Sequence, residues 1–506
     1  MRNAIATILV LCWVALLAGC TSPQTRLARA LQAQDTATVR QVLRDHPELA
    51  RQKLDGIPPL SLAIPRGRFR LQSTPELVRL LIHYGADVNA KDGMGETTLH
   101  RASRHQQAEV ALLMIQHGAK VNARDNCGCT PLHNAACYGN ADFVRMLIKH
   151  GASVSVRDRL GATPLHKAAE SGCAEIGATL LDAGAQVDAR DRERRTPLHA
   201  CCSQEYSDGS AFAAMLIARG SDVNAVDNNH ETPLMMAAKA DSASVVNVLV
   251  NHGAKVGLKD RKGHVALHYA LDMPEIAASL LKHGADPNIA MDDGEPPLLS
   301  AVISAGNYPD NAGYIGVARM LVTYGADVNA RGPKGQTALT SALFYDSDCE
   351  PSDLSKEIAP LLVDHGADVS APGECGRTAL EWAFDMRRFS EYRPLIERMI
   401  AKSSPRLLAG QSGGQCLLGA YGDKEGFQYL LSKGADVTVI GDYGWTLLHS
   451  AAYEGDIHLA QLVTSKGLSI NVKDNEGRTA LQIARERGKK SMVRWLIRHG
   501  AKDSSI

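Results

Sequence analysis

The feature that most constrains this chain is an interval. Thr97-Thr98-Leu99-His100, Thr130-Pro131-Leu132-His133, Thr163-Pro164-Leu165-His166 and Thr196-Pro197-Leu198-His199 follow one another every 33 residues. Self-similarity at such a period means a small unit that cannot bury its apolar face alone and stacks on copies of itself. The tetrad returns, less evenly spaced, at Thr232-Pro233-Leu234, Val265-Ala266-Leu267-His268, Thr337-Ala338-Leu339, Thr378-Ala379-Leu380, Thr446-Leu447-Leu448-His449 and Thr479-Ala480-Leu481. Each position has a physical task. The Thr hydroxyl caps free helix N–H groups, Pro takes the first helical position where no N–H is needed, and Leu enters the core. One helix therefore starts at every tetrad. Ala135-Ala136 and Ala168-Ala169 let neighbouring layers approach, while Val144, Leu147 and Ile148 mark the apolar stripe of a second helix. Gly85-Ala86, Gly118-Ala119, Gly151-Ala152, Gly184-Ala185 and their later counterparts stop that helix with a left-handed residue. Segments such as Val121-Asn122-Ala123, leading to Asp125 and Gly128, then project as a hairpin finger.

Period and motif together resemble the ankyrin repeat. The resemblance implies an all-α solenoid of helix-turn-helix units joined by β-hairpin loops. Thirteen repeats fit between Asp55 and Ala501, with weak tetrads in the first (Ile57 to Leu60), eighth (Glu295 to Leu298) and eleventh (Gln415 to Leu418). Repeats 1 to 10 begin within 55–385. The tenth lacks its Gly-Ala stop, which makes 386–414 an irregular stretch and the place for a bend or break, and 415–506 holds repeats 11 to 13 with a C-terminal cap. Ahead of the array, Leu27, Ala30, Leu31, Val39, Val42 and Leu43 at helical spacing predict a pair of capping helices over 26–54. Composition agrees with an array. A chain of 506 residues exceeds the roughly 250–300 at which one core stops growing. Aromatics at 5% and hydrophobics at 45% suit thin layers packed through Ala, Leu and Val. Lys plus Arg and Asp plus Glu both total 55, which leaves no general field to attract nucleic acid.

Residues 1–19 read as an export signal: Arg2, an apolar run from Ala4 to Leu17 broken only by Thr7, then Ala18-Gly19. That run is shorter than the roughly 20 residues needed to cross a bilayer. Cys20 after Leu17-Ala18-Gly19 resembles the lipobox of bacterial lipoproteins, which implies cleavage before Cys20 and a diacylglycerol on its thiol. Thr21, not Asp, follows; by the same resemblance this favours the outer membrane, facing the periplasm. Residues 20–25 are then a tether that reaches, at ~3.3–3.6 Å per residue, under about 20 Å.

Chemistry-bearing residues are sparse. His100, His133, His166, His199, His268 and His449 share one motif position and read as hydrogen-bonding groups of the turn. His117, His150, His252, His283, His365 and His499 precede the Gly stop, where a helix C-terminus favours a cation. With Cys12 and Cys20 set aside, nine thiols remain, an odd number. Cys137, Cys173, Cys201, Cys202 and Cys416 occupy small-residue positions and read as buried packing. Cys127, Cys129, His133 and Cys137 have metal-ligand residue types, but His133 would have to leave its turn; a local Cys127–Cys129 disulfide stands beside that reading and needs a bulged turn. Gly410-Gln411-Ser412-Gly413-Gly414 matches a nucleophile elbow in letters. It is expected in a repeat hairpin without the strand and partners that motif needs. No catalytic residue, cofactor or metal is assigned.

The remaining signals concern contact. Arg190, Arg192, Arg194 and Arg195 crowd one finger, with Arg159, Arg261 and Lys262 on others; this is either a basic ridge or a solvated finger with Asp191 and Glu193 interleaved. The basic last repeat reads as a soluble outer cap. Repeats 1, 8 and 9 carry extra residues between their helices, expected as loops from one edge, which brings Tyr308, Tyr314, Phe344 and Tyr345 near Asp346, Asp348, Glu350 and Asp353. Tyr443, Trp445 and Tyr453 occupy finger and first-helix positions that the resemblance assigns to partner contact. Partner-binding candidates are therefore Tyr443, Trp445, Tyr453, Tyr308, Tyr314, Phe344, Tyr345, Arg159, Arg192 and Arg195. The expectation is a monomeric, lipid-anchored module that holds an envelope protein, as an immunity-type inhibitor or a scaffold. A spacer with no client is the alternative, and an enzyme using Ser412 or the Cys127/Cys129 region the remote one.

Overall fold

The computed structural model describes residues 22–64, 74–138, 141–202, 208–344, 354–374, 376–385, 389–403, 408, 411–420 and 423–502. The chain divides into two units at Arg261 and Lys262. The first opens with helices Pro23–Gln32 and Thr36–Asp45, capped by the Ser22 and Asp35 side chains on the N–H groups of Thr25 and Thr38. Six helix pairs follow: Pro59–Leu62 with Thr74–His83, Thr98–Arg104 with Ala108–Gln116, Pro131–Tyr138 with Ala141–Lys149, Pro164–Ser171 with Ala174–Asp182, Pro197–Cys202 with Ser210–Ala218, and Pro233–Lys239 with Ala243–Asn251. The second unit holds repeats 7 to 13, from Ala266–Ala270 with Pro274–Lys282 to Ala480–Glu486 with Lys490–Arg498. The expected all-α array of about thirteen repeats is the fold of this chain. Its fingers contain no strand among the described residues. Among the described residues of unit 2, four fingers close with single antiparallel bridges, Arg331 to Thr337, Pro372 to Thr378, Ile440 to Thr446 and Lys473 to Thr479.

The motif leucines Leu99, Leu132, Leu165, Leu198, Leu234, Leu267, Leu339, Leu380, Leu448 and Leu481 are all buried. Truncating one to Ala costs about 2–5 kcal/mol. The motif histidines are joints between repeats. Nδ1 of His133 accepts the backbone N–H (3.1 Å) and the hydroxyl (2.9 Å) of Thr130, and Nε2 lies 3.2 Å from the Ala162 carbonyl of the next repeat. A carbonyl only accepts, so Nε2 carries the proton and the ring is neutral. His100, His166 and His199 repeat this with the Cys129, Arg195 and Glu231 carbonyls in unit 1, and His449 with that of Arg478 in unit 2. Burial pushes all five below the ordinary histidine value, His133 to about 4. Five of the six histidines that precede a Gly stop cap their helix ends: Nδ1–H of His150, His252, His283, His365 and His499 donates to the carbonyl four residues earlier.

A second joint is an asparagine clip. Asn122 donates to the Gly151 carbonyl (2.9 Å) and accepts from the Ser153 N–H (2.8 Å), satisfying the helix stop of its neighbour. Asn89 and Asn224 do the same in unit 1, and Asn288, Asn329 and Asn471 in unit 2.

Four expectations need correction. The extra residues of repeat 8 do not leave as a loop: they lengthen both helices, Pro297–Asn307 and Ala312–Thr323, and leave Tyr308 to Asn311 between them. Repeat 5 also carries an insertion, because its second helix begins only at Ser210 after Cys202. In repeat 7 the segment from Val265 to Gly284 is two residues shorter than its counterpart in repeat 6, and the first helix tightens to the 3-10 turn Ala266–Ala270. The Ser412 motif does not occupy a hairpin. Gln411–Gly419 is helical, and a Cβ on Gly414 would meet the Val439 side chain at 2.2 Å, so close packing accounts for that glycine.

Candidate partner-binding surface

In unit 1 the fingers are bonded to one another at their tips. The N–H of Asn126 donates to the Met94 carbonyl (2.9 Å), Arg159 to Cys127 (2.7 Å), Arg192 to Leu160 (2.9 Å), Asn228 to Glu193 (2.9 Å) and Arg261 to Asn229 (3.0 Å). Within each finger an Asp folds back on its own backbone. Asp125 Oδ1 accepts from the Cys127 and Cys129 N–H groups, Asp158 from Leu160 and Ala162, and Asp191 from Glu193 and Arg195. The turn that follows needs a positive φ. Gly128 and Gly161 supply it in repeats 3 and 4, and Arg194 (φ 62°) holds the same place in repeat 5. Of the expected arginines, Arg159 and Arg192 are exposed, while Arg195 is tied to Asp191 (3.1 Å) and Glu193 (3.6 Å).

Behind these tips a groove of about 520 Å³ is lined by Met94, Cys127, Cys129, His133, Cys137 and Tyr138, among others. Its thiols are free. Burial and the nearby Asp125 and Asp158 push the Cys129 thiol up to about 12, and burial also raises Cys137. A thiol so raised is a poor nucleophile and a poor metal ligand. Both nitrogens of His133 are engaged in the repeat joint, and no group of three His, Cys, Asp or Glu able to hold a metal occurs among the described residues. Cys137 and Cys173 are half-buried, unlike Cys201, Cys202 and Cys416: Cys137 lies in the last turn of its helix and Cys173 just ahead of the next repeat's second helix.

In unit 2, Tyr308 caps its helix with 62% exposure and stacks on Tyr314 at 6.2 Å. Phe344 is exposed and meets Trp382 edge-on at 5.2 Å, with the Arg377 guanidinium 4.3 Å from the Trp382 ring centre. These rings border a cleft of about 260 Å³ with Glu295, Gln336 and the Lys334–Glu374 ion pair (2.7 Å). Tyr345 and the acids Asp346, Asp348, Glu350 and Asp353 lie outside the described residues, as does Cys20.

In repeat 12 the structure separates the three aromatics. Tyr443 stands on its finger tip, 82% exposed, with φ 61° and ψ 20°. Trp445 is half-buried, donating to Ser450 Oγ (2.8 Å), and Tyr453 lies under the Arg487 guanidinium at 3.8 Å. Both serve the fold as well as the surface. The left-handed backbone of Tyr443 was not legible beforehand: the residue before Gly444 carries no signal for it.

The family model for ankyrin repeats, in three copies, matches residues 24–125, 70–158, 122–191, 155–227, 198–291 and 416–505. Among known proteins, the chain is similar to the ankyrin repeat and KH domain-containing protein mask-1 of Caenorhabditis elegans (39% identity over 82 residues). It also resembles the human transient receptor potential cation channel subfamily A member 1 (36% over 67 residues). The matches span 16% and 13% of this chain but only 3% and 6% of those proteins. The human ASB11 ankyrin repeat domain aligns with 43% of this chain and 96% of its own, at 27% identity and a TM-score of 0.39.

Proposed function

This chain belongs to the ankyrin-repeat family, and from that premise we propose that it acts by holding a protein client in a bacterial envelope, anchored through lipid on Cys20. The client is gripped by finger tips and first-helix faces, and no chemical step is carried out by the chain itself. One observation carries the binding site in particular: Tyr443 is a large aromatic held in a left-handed conformation and turned to solvent. That conformation costs a residue with a side chain roughly 1–2 kcal/mol, and Gly or Asn would serve the turn better. Strain of this kind persists where a surface is used, and an exposed tyrosine is a common anchor in interfaces. No helix among the described residues is long and apolar enough to cross a membrane. The anchoring proposal therefore rests on Ala18-Gly19-Cys20 following the apolar run.

Cross-linking in intact envelopes, followed by purification through the chain and mass spectrometry, tests the reading. One client should be enriched with the wild type and reduced at least about tenfold with Tyr443→Ala, the loss expected for an interface anchor. A Cys20→Ser chain should leave the membrane fraction. Equal recovery of every protein with both chains would mean a spacer without a client. Between the two client roles, sensitivity of a deletion strain to an envelope-acting toxin marks an inhibitor, and loss of the client's activity marks a scaffold.

A further inference from the structure

The finger tips of repeats 2 to 5 segregate charge in a way their sequence conceals. A basic residue and an aspartate stand side by side in each finger, yet Asp92, Asp125, Asp158 and Asp191 all turn inward onto backbone N–H groups of their own finger. The cations instead reach across to the next finger. Lys91 Nζ donates to the Arg124 carbonyl (2.7 Å), Arg124 to that of Arg157 (2.6 Å), Arg157 to that of Arg190, and Arg190 to that of Val226 (2.8 Å), which makes a continuous row across adjacent fingers. Beside that row stand Arg159, Arg192 and Arg194, exposed and in no ion pair among the described residues. Glu193 is the carboxylate left outward on the finger of repeat 5, and Arg195 is its partner.

Apolar side chains occupy the equivalent tip position of three successive fingers. Met94 is 71% and Leu160 62% exposed, with exposed Cys127 between them. Their carbonyls are the acceptors of the tip-to-tip bonds, so the spacing of this row is set by backbone hydrogen bonds. The exposed guanidinium groups attract carboxylates through their charge, and exposed Met and Leu at fixed spacing offer dry contacts that a phosphate backbone would not use. Deepening the binding-module reading above and resting on it, we propose that the tips of repeats 2 to 5 are a docking rail for an acidic protein segment whose carboxylates alternate with apolar side chains.

The test uses the full chain and a fluorescein-labelled synthetic peptide of alternating Glu and Leu, followed by fluorescence anisotropy. Binding should weaken as salt rises. The Arg159→Glu, Arg192→Glu, Arg194→Glu triple variant should bind at least about tenfold more weakly. Replacing the same three residues by Lys should hold affinity within about threefold, and Met94→Ser with Leu160→Ser should lower it by about threefold. Unchanged circular dichroism of each variant separates lost contact from lost fold. The proposal is overturned if the charge-reversed chain binds like the wild type, or if a Lys-Leu peptide binds equally well. It is also overturned if phosphatidylglycerol vesicles or a single-stranded oligonucleotide displace the peptide at matched charge, or if Tyr443→Ala abolishes binding. Failure here is distinct from failure of the broader reading, which is decided by whether envelope cross-linking finds a client lost with Tyr443→Ala.

Discussion

Replacing His133 by Gln should make repeat 3 less stable at neutral pH and more stable in acid. In the native joint Nδ1 accepts from Thr130 and Nε2–H donates to the Ala162 carbonyl, so a second proton has no place to go without breaking the bond from the Thr130 N–H. Burial holds the ring at about 4, against an unfolded value of about 6.5. Because the folded ring binds protons more weakly than the unfolded one, its stability is whole above pH ~6.5 and is lost as pH falls through the window down to about 4. At about pH 5 the unfolded ring is protonated ~30-fold over neutral while the folded ring stays largely neutral, a loss of ~2 kcal/mol. Gln keeps the acceptor, as Gln482 does in repeat 13, where its Oε1 accepts from the Thr479 N–H at 2.8 Å. It gives up the inter-repeat bond, worth about 1 kcal/mol. The wild type should therefore lead by about 1 kcal/mol near pH 7.5 and trail by about 1 kcal/mol near pH 5. Hydrogen exchange of the Pro131–Tyr138 amides, corrected for intrinsic rates at each pH, reads local opening directly and does not require the whole array to unfold in one step. Parallel pH dependence in both proteins would refute a neutral, doubly bonded ring.

Three further outcomes follow from packing and backbone geometry. Asn122→Ala should raise exchange of the Gly151 to Ser153 stop by about 1–3 kcal/mol in opening free energy, since two backbone groups lose their partner. Arg194→Gly should stabilise the finger of repeat 5 by about 1 kcal/mol, seen as a higher midpoint in urea, because it relieves φ 62°. The same change should weaken acidic-peptide binding. Gly414→Ala should destabilise repeat 11 by about 1–3 kcal/mol in thermal melts, its Cβ falling 2.2 Å from the Val439 side chain.

The frame was legible because it is repetitive: Thr, Leu, His and Gly recur where each helix starts, fills and stops, and the structure puts Leu99, Leu132 and Leu165 in the core as that periodicity requires. What could not be read was the fate of irregular lengths. The extra residues of repeat 8 had helical as well as loop outcomes, and burial of Val302 and Ala305 along an extended Pro297–Asn307 helix favours the helix. The insertion of repeat 5 shows as an interval of 36 between Thr196 and Thr232, a small departure from 33. For the surface, composition listed the finger charges but not their directions. Asp125, Asp158 and Asp191 turn inward through Asx turns, a matter of backbone geometry, while Lys91, Arg124, Arg157 and Arg190 form a row from finger to finger. Tyr453 was plausible as an exposed anchor until Arg487 covered its ring.

The asparagine clips have a consequence for how such a chain can change. Asn89 reaches the carbonyl of Gly118, 29 positions further along the chain, and Asn288 that of Gly325, 37 positions further, yet the bonds measure 3.1 and 3.2 Å. The fastening between modules is thus indifferent to how much polypeptide is looped or coiled inside a module. New recognition surface can be grown within one unit, residue by residue, while its connections to its neighbours keep the same dimensions.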